Sequence, residues 1–512
     1  MKFRLTVLIV FSLCLSNVFA DEGMWLLGNL RKNKQTDRVM KELGLQMPVN
    51  KIYNPKKPSL SDAVVSFGGF CSGVVVSEDG LVFTNHHCGF SSIQQHSSVE
   101  HDYLKDGFFA RSLEEELPNP ELYVRFLLRT EDVTKRVLSA ARHAKTETER
   151  RVAVDSIMNV ISMEVSEKDS TLTGIVDAYY AGNEFWLSVY RDYNDVRLVF
   201  APPSSVGKFG WDTDNWMWPR HTGDFSVFRV YAGPDNRPAD YSPENRPYKA
   251  EKFLKISLGG YDEGDFAMIM GFPGSTQRYM TSYEIDRLLE VENPQRIFIR
   301  GERQAILKED MAASAKVRIQ YASKYAQSSN YWKNSIGKSR GIRRLDVKGR
   351  KQEQEAAFTA WAAKNTLPTE GYSNALNLIR ESVEETAPYF ASSQYLSEAI
   401  GRSVEILAPA RLAVSKKGGE LTEALKAFYK DYNMPTDRRV AKRMFRIVGE
   451  NCKELPSVFA EVIGKRFGGD TDAYVDYLYD NSVFADERKA LAAAAAGTDV
   501  SNDPAVLLNK SY

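Results

Sequence analysis

The chain has 512 residues, 43% of them hydrophobic, which suffices for two or three cored domains and excludes a disordered polypeptide. Lys plus Arg and Asp plus Glu both number 67, so the formal net charge is zero and nothing indicates a nucleic-acid partner. The first twenty residues read as a secretory signal. MKFR is a basic start, LTVLIVFSLCL an apolar run and SNVFA a small-residue end, with cleavage expected after Ala20. Cys14 sits mid-run between Leu13 and Leu15, which argues against lipidation. The run is too short for a bilayer span and no later segment is apolar for long enough, so the mature chain is expected to be exported without a membrane span.

Residues 21–60 read as a short helical start and a Pro-rich connector, NPKKPS. Residues 64–90 are strand-rich. Three cysteines remain after the signal: Cys71, Cys88 and Cys452. Between the first two lies SGVVVSEDGLVFTNHH, read as strand, Asp79-Gly80 turn and strand. Folding back would bring Cys71 and Cys88 together, a disulfide candidate in an oxidising compartment. Cys452 is expected to be a buried thiol. Residues 131–170 read as helix, with apolar residues at helical spacing and no Gly or Pro between 131 and 170. Strands return at FWLSVY, DVRLVF and FSVFRVYA, and two more are expected at FLKISL and FAMIMGF, on either side of GGYDEGD. From about Thr281 the texture is charged and helix-periodic. A boundary is placed near residue 280, between a mostly β part and a mostly α part. Near the end, Asn502-Asp503-Pro504 starts a helix that is cut about two turns later, which reads as an interruption.

Two constellations carry chemistry. In LVFTNHHC a strand ends beside a disulfide candidate, as around the general-base histidine of trypsin-like proteases, where rigidity holds a base against its serine. His87, next to Cys88, is the better candidate; His86 is left to packing or to a turn hydrogen bond. The second constellation is GWDTDNWMWPRHTGDFSVFRVYA. Asp224, directly before a strand, is placed to orient the histidine. Asp212 and Asp214 are competitors suited to Asx turns, and His221 is assigned a structural role. Asn215 and Trp216 suit capture of a free α-amine: an amide carbonyl accepts from an ammonium and an indole covers it. The competing reading is a packing loop with a buried Trp pair. His96 and His101 lack metal-ligand company, and no HExxH is present, so no metal is expected. GFPGST, with Ser275, reads as a strand end and a Pro-Gly turn rather than a nucleophile elbow. No phosphate-binding GxxxxGK[ST] loop is present.

On CSGVVVSEDGLVFTNHHCGF, HDYLKDGFFARSLEEELPNPELYVRFL, TDNWMWPRHTGDFSVFRVYAGPDN and MIMGFPGSTQRY, the chain resembles the S46 family of bacterial dipeptidyl peptidases. The resemblance implies an α+β chain: a chymotrypsin-like double β-barrel with a large helical domain inserted. Residues 21–280 would supply the barrel part, with a helical excursion near 131–170, and 281–512 an incomplete helical cap domain. It implies His87 as general base, Asp224 as its partner, and Asn215 and Trp216 as part of the site for the substrate N-terminus. It further implies oligopeptide substrates with a free N-terminus, a homodimer at full length, a periplasmic location and no cofactor. Family members carry the nucleophilic serine in a Gly-Asn-Ser-Gly-Ser-type segment after the helical domain. No such segment occurs here. The serine and much of the second barrel are therefore expected beyond the end of this chain, which alone would be inactive by the triad route, poorly stable and prone to aggregate. Two alternatives stand beside this reading: a non-catalytic peptide-binding or partner protein, and a trypsin-like endopeptidase.

Overall fold

A computed structural model describes residues 24–30, 34–275, 277–365 and 371–511; the expected signal segment, with Cys14, lies outside the described residues. The chain is mixed α/β, with a large antiparallel sheet and many helices. It divides into two compact units, one from the residues up to 82, 120–196 and 229–272, the other from 83–119, 197–228 and 273 onward.

In the first unit, strand Val64–Phe67 pairs antiparallel with Cys71–Val75, Val64 opposite Val74 and Phe67 opposite Cys71. It also pairs with Val124–Asp132, which pairs with Glu184–Tyr193 and through it with Leu172–Tyr179. These strands are rich in β-branched and aromatic residues, which fit a pleated, half-buried surface. Helix Glu147–Lys168 packs Ile161 and Val165 against Val176, Phe185, Leu187 and Val189. The single helix expected over 131–170 is two, Thr134–Ala140 and Glu147–Lys168. The preceding strand runs on to Asp132, and Thr146 starts the second helix by accepting from the Glu149 N–H at 3.1 Å.

The expected strands FLKISL and FAMIMGF do not form: residues 253–258 and 266–272 are irregular. Alternation alone does not make a strand. Leu258 is 96% exposed and Ile269 fully exposed, so neither run has a buried face to hold it. The segment has footholds instead. The Leu254 N–H donates to Val75 O, and Phe266 and Met270 pack on the Leu30, Met40, Leu45 and Ile52 cluster.

In the second unit, short strands Phe108–Phe109 and Leu117–Pro118 pair with Asp195–Ala201, Phe109 opposite Phe200 and Leu117 opposite Leu198. From Ser282 to Lys510 the described elements are all helical. Their core includes Ile299, Leu307, Tyr321, Phe445, Val448 and Leu478, all fully buried. Helix Ala315–Arg344, 30 residues long, extends about 45 Å at the usual rise. The last helix, Pro504–Lys510, starts where the Asn-Asp-Pro signal places it, with Asp503 accepting from the Ala505 N–H at 2.8 Å.

Candidate active site

Strand Leu81–Thr84 hands over through Asn85 to a helix, His86–Gln95. The residue pattern predicts no helix here, only the end of a strand. HHCGFSSIQQ contains no proline and spaces Phe90 and Ile93 for burial on one face, so the backbone coils at once. Adjacent residues on a helix point about 100° apart, which separates the two histidines. His86 turns inward and is fully buried, its ring edge-on to Phe90 at 5.6 Å. Gly207 makes room for it, because a Cβ there would stand 2.4 Å from the imidazole. Burial pushes the His86 pKa down to about 4 and keeps the ring neutral.

His87 turns outward, with its side chain 57% exposed. Its Nδ1 stands 2.7 Å from Asp224 Oδ2, and its backbone N–H donates to Asp224 Oδ1 at 2.9 Å. Asn85 Nδ2 donates to the same carboxylate at 3.2 Å and to Asp224 O at 3.1 Å. Ser226 Oγ in turn donates to Asn85 O at 2.8 Å. Burial pushes the Asp224 carboxyl up, but its hydrogen bonds with His87 and the His87 charge outweigh this, and its pKa lies below the usual carboxylate value. An ionised carboxylate facing Nδ1 favours the Nδ1–H tautomer and leaves the Nε2 lone pair outward. Nε2 lies 3.5 Å from Cys88 Sγ. Cys71 and Cys88 are both in disulfide linkage, and Cys452 is a buried free thiol. Sulfurs spent in a disulfide offer no thiolate to a metal. His96 Nε2 lies 3.2 Å from Asn119 Oδ1, and His101 stacks on Tyr103.

The loop before Asp224 is built on its other acids. Asp214 Oδ2 takes the His221 backbone N–H at 2.9 Å and Nδ1 at 2.8 Å, a second clamp of the kind seen at His87. Asp212 accepts from Tyr325 Oη at 2.9 Å and Ser329 Oγ at 2.5 Å. Neither acid serves the Asx turn assigned to it, because each meets a stronger side-chain donor. Lys208 lies over the Phe90 ring at 4.9 Å and the Trp211 ring at 5.8 Å, and burial lowers its pKa against the pull of Asp212 and Asp224.

Asn215 Nδ2 and Trp216 Nε1 both donate to Asn330 Oδ1, at 3.1 and 2.9 Å. Trp216 is held at φ 57°, where a non-glycine residue is strained. Its carbonyl lies against helix Ala315–Arg344 where only glycine fits: a Cβ on Gly337 would stand 2.8 Å from it. The Trp216 ring is half exposed, so DNWMW is not a loop with a buried Trp pair. Two residues escaped the sequence reading. Asn330 belongs to a Ser-Ser-Asn run inside a helix, where such residues are poor formers, and that oddity was its only signal. Buried Gln94, at the far end of the His87 helix, accepts from the Ser323 N–H at 2.7 Å and donates to Asp431 Oδ2 at 2.9 Å. It ties the histidine helix to the helix that carries Asn330.

A family model described as Peptidase S46 matches residues 20–512. Dipeptidyl-peptidase 7 of Porphyromonas gingivalis is 46% identical over 505 residues, covering 96% of this chain and 70% of that protein. Dipeptidyl-peptidase 7 of Porphyromonas endodontalis is 46% identical over 530 residues, covering 100% of this chain and 64% of that protein. Among solved structures, Porphyromonas endodontalis DPP11 in complex with the dipeptide Arg-Asp is similar at a TM-score of 0.85 and 36% identity, over 96% of this chain and 72% of that one. The chain thus spans 64% to 72% of the length of these three relatives.

Proposed function

The chain belongs to the peptidase S46 family, and from that premise we propose that it carries the base and the N-terminus-binding site of an exported serine exopeptidase that releases dipeptides from peptides. In this reading His87 Nε2 takes the proton of a serine hydroxyl as that oxygen attacks the scissile carbonyl. Asp224 holds the Nδ1–H tautomer and stabilises the imidazolium. The same proton then passes to the leaving amine, and water repeats the cycle on the acyl-enzyme. The attacking serine is the one the family resemblance implies, carried in a Gly-Asn-Ser-Gly-Ser-type segment. The strands up to residue 280 belong to chymotrypsin-like barrels, the helices from 281 to the inserted domain. The whole protein acts in the periplasm as a homodimer.

The Asn215–Trp216–Asn330 cluster carries the exopeptidase reading. With its Nδ2 committed to Asn330, the Asn215 carbonyl is left to accept from an α-ammonium beside the exposed face of Trp216. An endopeptidase has no use for such a group. The test is titration of the protein purified from its native source with a dipeptide, which a dipeptidyl peptidase cannot shorten, and with its N-acetylated form, followed by tryptophan fluorescence. The free peptide is expected to bind at least about tenfold tighter, the worth of one charged hydrogen bond, and Trp216→Ala to abolish the difference. Equal binding of the two forms contradicts the reading.

A further inference from the structure

A cleft of about 560 Å³ opens among the helices of the second unit. Tyr389, Ser393, Leu396, Ser397, Arg402 and Arg411 line it. Its wall contains a π-helical turn, Leu396–Gly401, closed by the Arg402 N–H on Ser397 O at 2.9 Å. Such wide turns are rare, cost helix geometry and concentrate at functional sites. Here the turn follows helix Ala375–Tyr395 without a break and brings Ser397 and Arg402 to the cleft.

Arg402 is the under-compensated charge at the rim of the cleft. Buried Glu398 gives one oxygen to Arg300 at 2.7 Å and the other to Arg296 at 3.3 Å. Arg402 can only share the Arg296 oxygen, from 3.9 Å, and this is its sole ion pair among the described residues. Its side chain is 61% exposed, and its remaining N–H donors have no hydrogen-bond partner among the described residues. Arg411 enters the same cleft with its Nε on Asn509 Oδ1 at 2.8 Å. The hydroxyls of Ser393 and Ser397 have no hydrogen-bond partner among the described residues, and both face solvent. Glu454 is the one acid of the lining, and Arg411 is already engaged elsewhere, so Arg402 is the cation left to a ligand.

We propose that this cleft binds a small oxyanion, a carboxylate or a phosphate, gripped by the Arg402 guanidinium and the Ser393 and Ser397 hydroxyls. A planar guanidinium fork matches either oxyanion, and serine hydroxyls complete the remaining lone pairs. Leu396 and Tyr389 provide an apolar wall for a ligand with a short hydrocarbon body. The site shares no residue with the His87–Asp224 pair or the Asn215 cluster, so the inference stands or falls apart from the peptidase reading.

Isothermal titration of the protein purified from its native source with inorganic phosphate, and separately with N-acetyl-leucine, tests it. Saturable binding of phosphate alone identifies a phosphate site, and binding of N-acetyl-leucine alone a carboxylate site. Arg402→Gln is expected to weaken whichever binds by about tenfold, the loss of a charged hydrogen-bonding group. Ser397→Asp, an exposed position in the same cleft, places a fixed negative charge there and is expected to abolish binding. Thermal melts of both variants report that the fold is kept. If neither probe binds at millimolar concentration, or if both variants bind like the parent, the inference is wrong.

Discussion

His86 and His87 are neighbours with opposite fates, and the difference is one helical step. His86 resists protonation down to about pH 4, whereas an ordinary imidazole takes its proton near 6.5. The unfolded chain binds a proton in that window that the folded chain refuses. The stability His86 supports is therefore complete above pH 6.5 and declines as the pH falls toward 4, by about 3 kcal/mol in all. Urea unfolding at pH 7 and pH 5 should show this loss, and His86→Leu should flatten it; an unchanged slope in the variant would sink the assignment. Asp224 works in the same direction at lower pH: its carboxyl is depressed, so its contribution persists until the pH drops through the folded value. At this scale the sequence was informative wherever a residue type has one job. His87 and Asp224 meet at 2.7 Å, and Asn215 and Trp216 converge on one acceptor. Asn330 lies 114 residues from Trp216, and nothing local in a helical Ser-Ser-Asn run says which loop it will meet.

Elements were legible where pattern and burial agree. The runs at 185–190, 195–200 and 225–232 became strands Glu184–Tyr193, Asp195–Ala201 and Ser226–Ala232, since they alternate and bury one face or both. FLKISL and FAMIMGF carry the same signal without a continuous buried face, only single anchors such as Phe266 and Met270, and stay irregular. The helix at His86 was missed because its first turn is polar and its apolar positions come late. Its placement depends on Gln94, which takes the Ser323 N–H from inside another helix and answers Asp431. Gln94→Leu keeps the volume and removes its bonds with the Ser323 N–H, Gln320 O and Asp431 Oδ2, leaving the half-buried Asp431 carboxyl without its amide donor. A loss of about 2–3 kcal/mol in urea unfolding is expected, with faster amide exchange in residues 86–95. Were exchange there unchanged, the two helices would not be coupled through this side chain.

For the whole molecule, the proposal joins two functions in one compact unit: a histidine polarised by a half-buried carboxylate, and a rigid loop with an amide carbonyl and an indole for a peptide's amine. His87, Asp224, Asn215, Trp216 and Asn330 all belong to that unit. Length, charge balance and helical texture were readable from composition. That each of the two compact units is stitched from three separated segments was not, because composition along the chain does not show which distant segments pack together. The most direct test is mass spectrometry of the products that the protein purified from its native source makes from one peptide, offered free and N-acetylated. The account predicts successive dipeptides from the free peptide, none from the acetylated one, and none from either once His87→Ala is introduced. Internal cleavage of the acetylated peptide, or dipeptide release that survives His87→Ala, would contradict it.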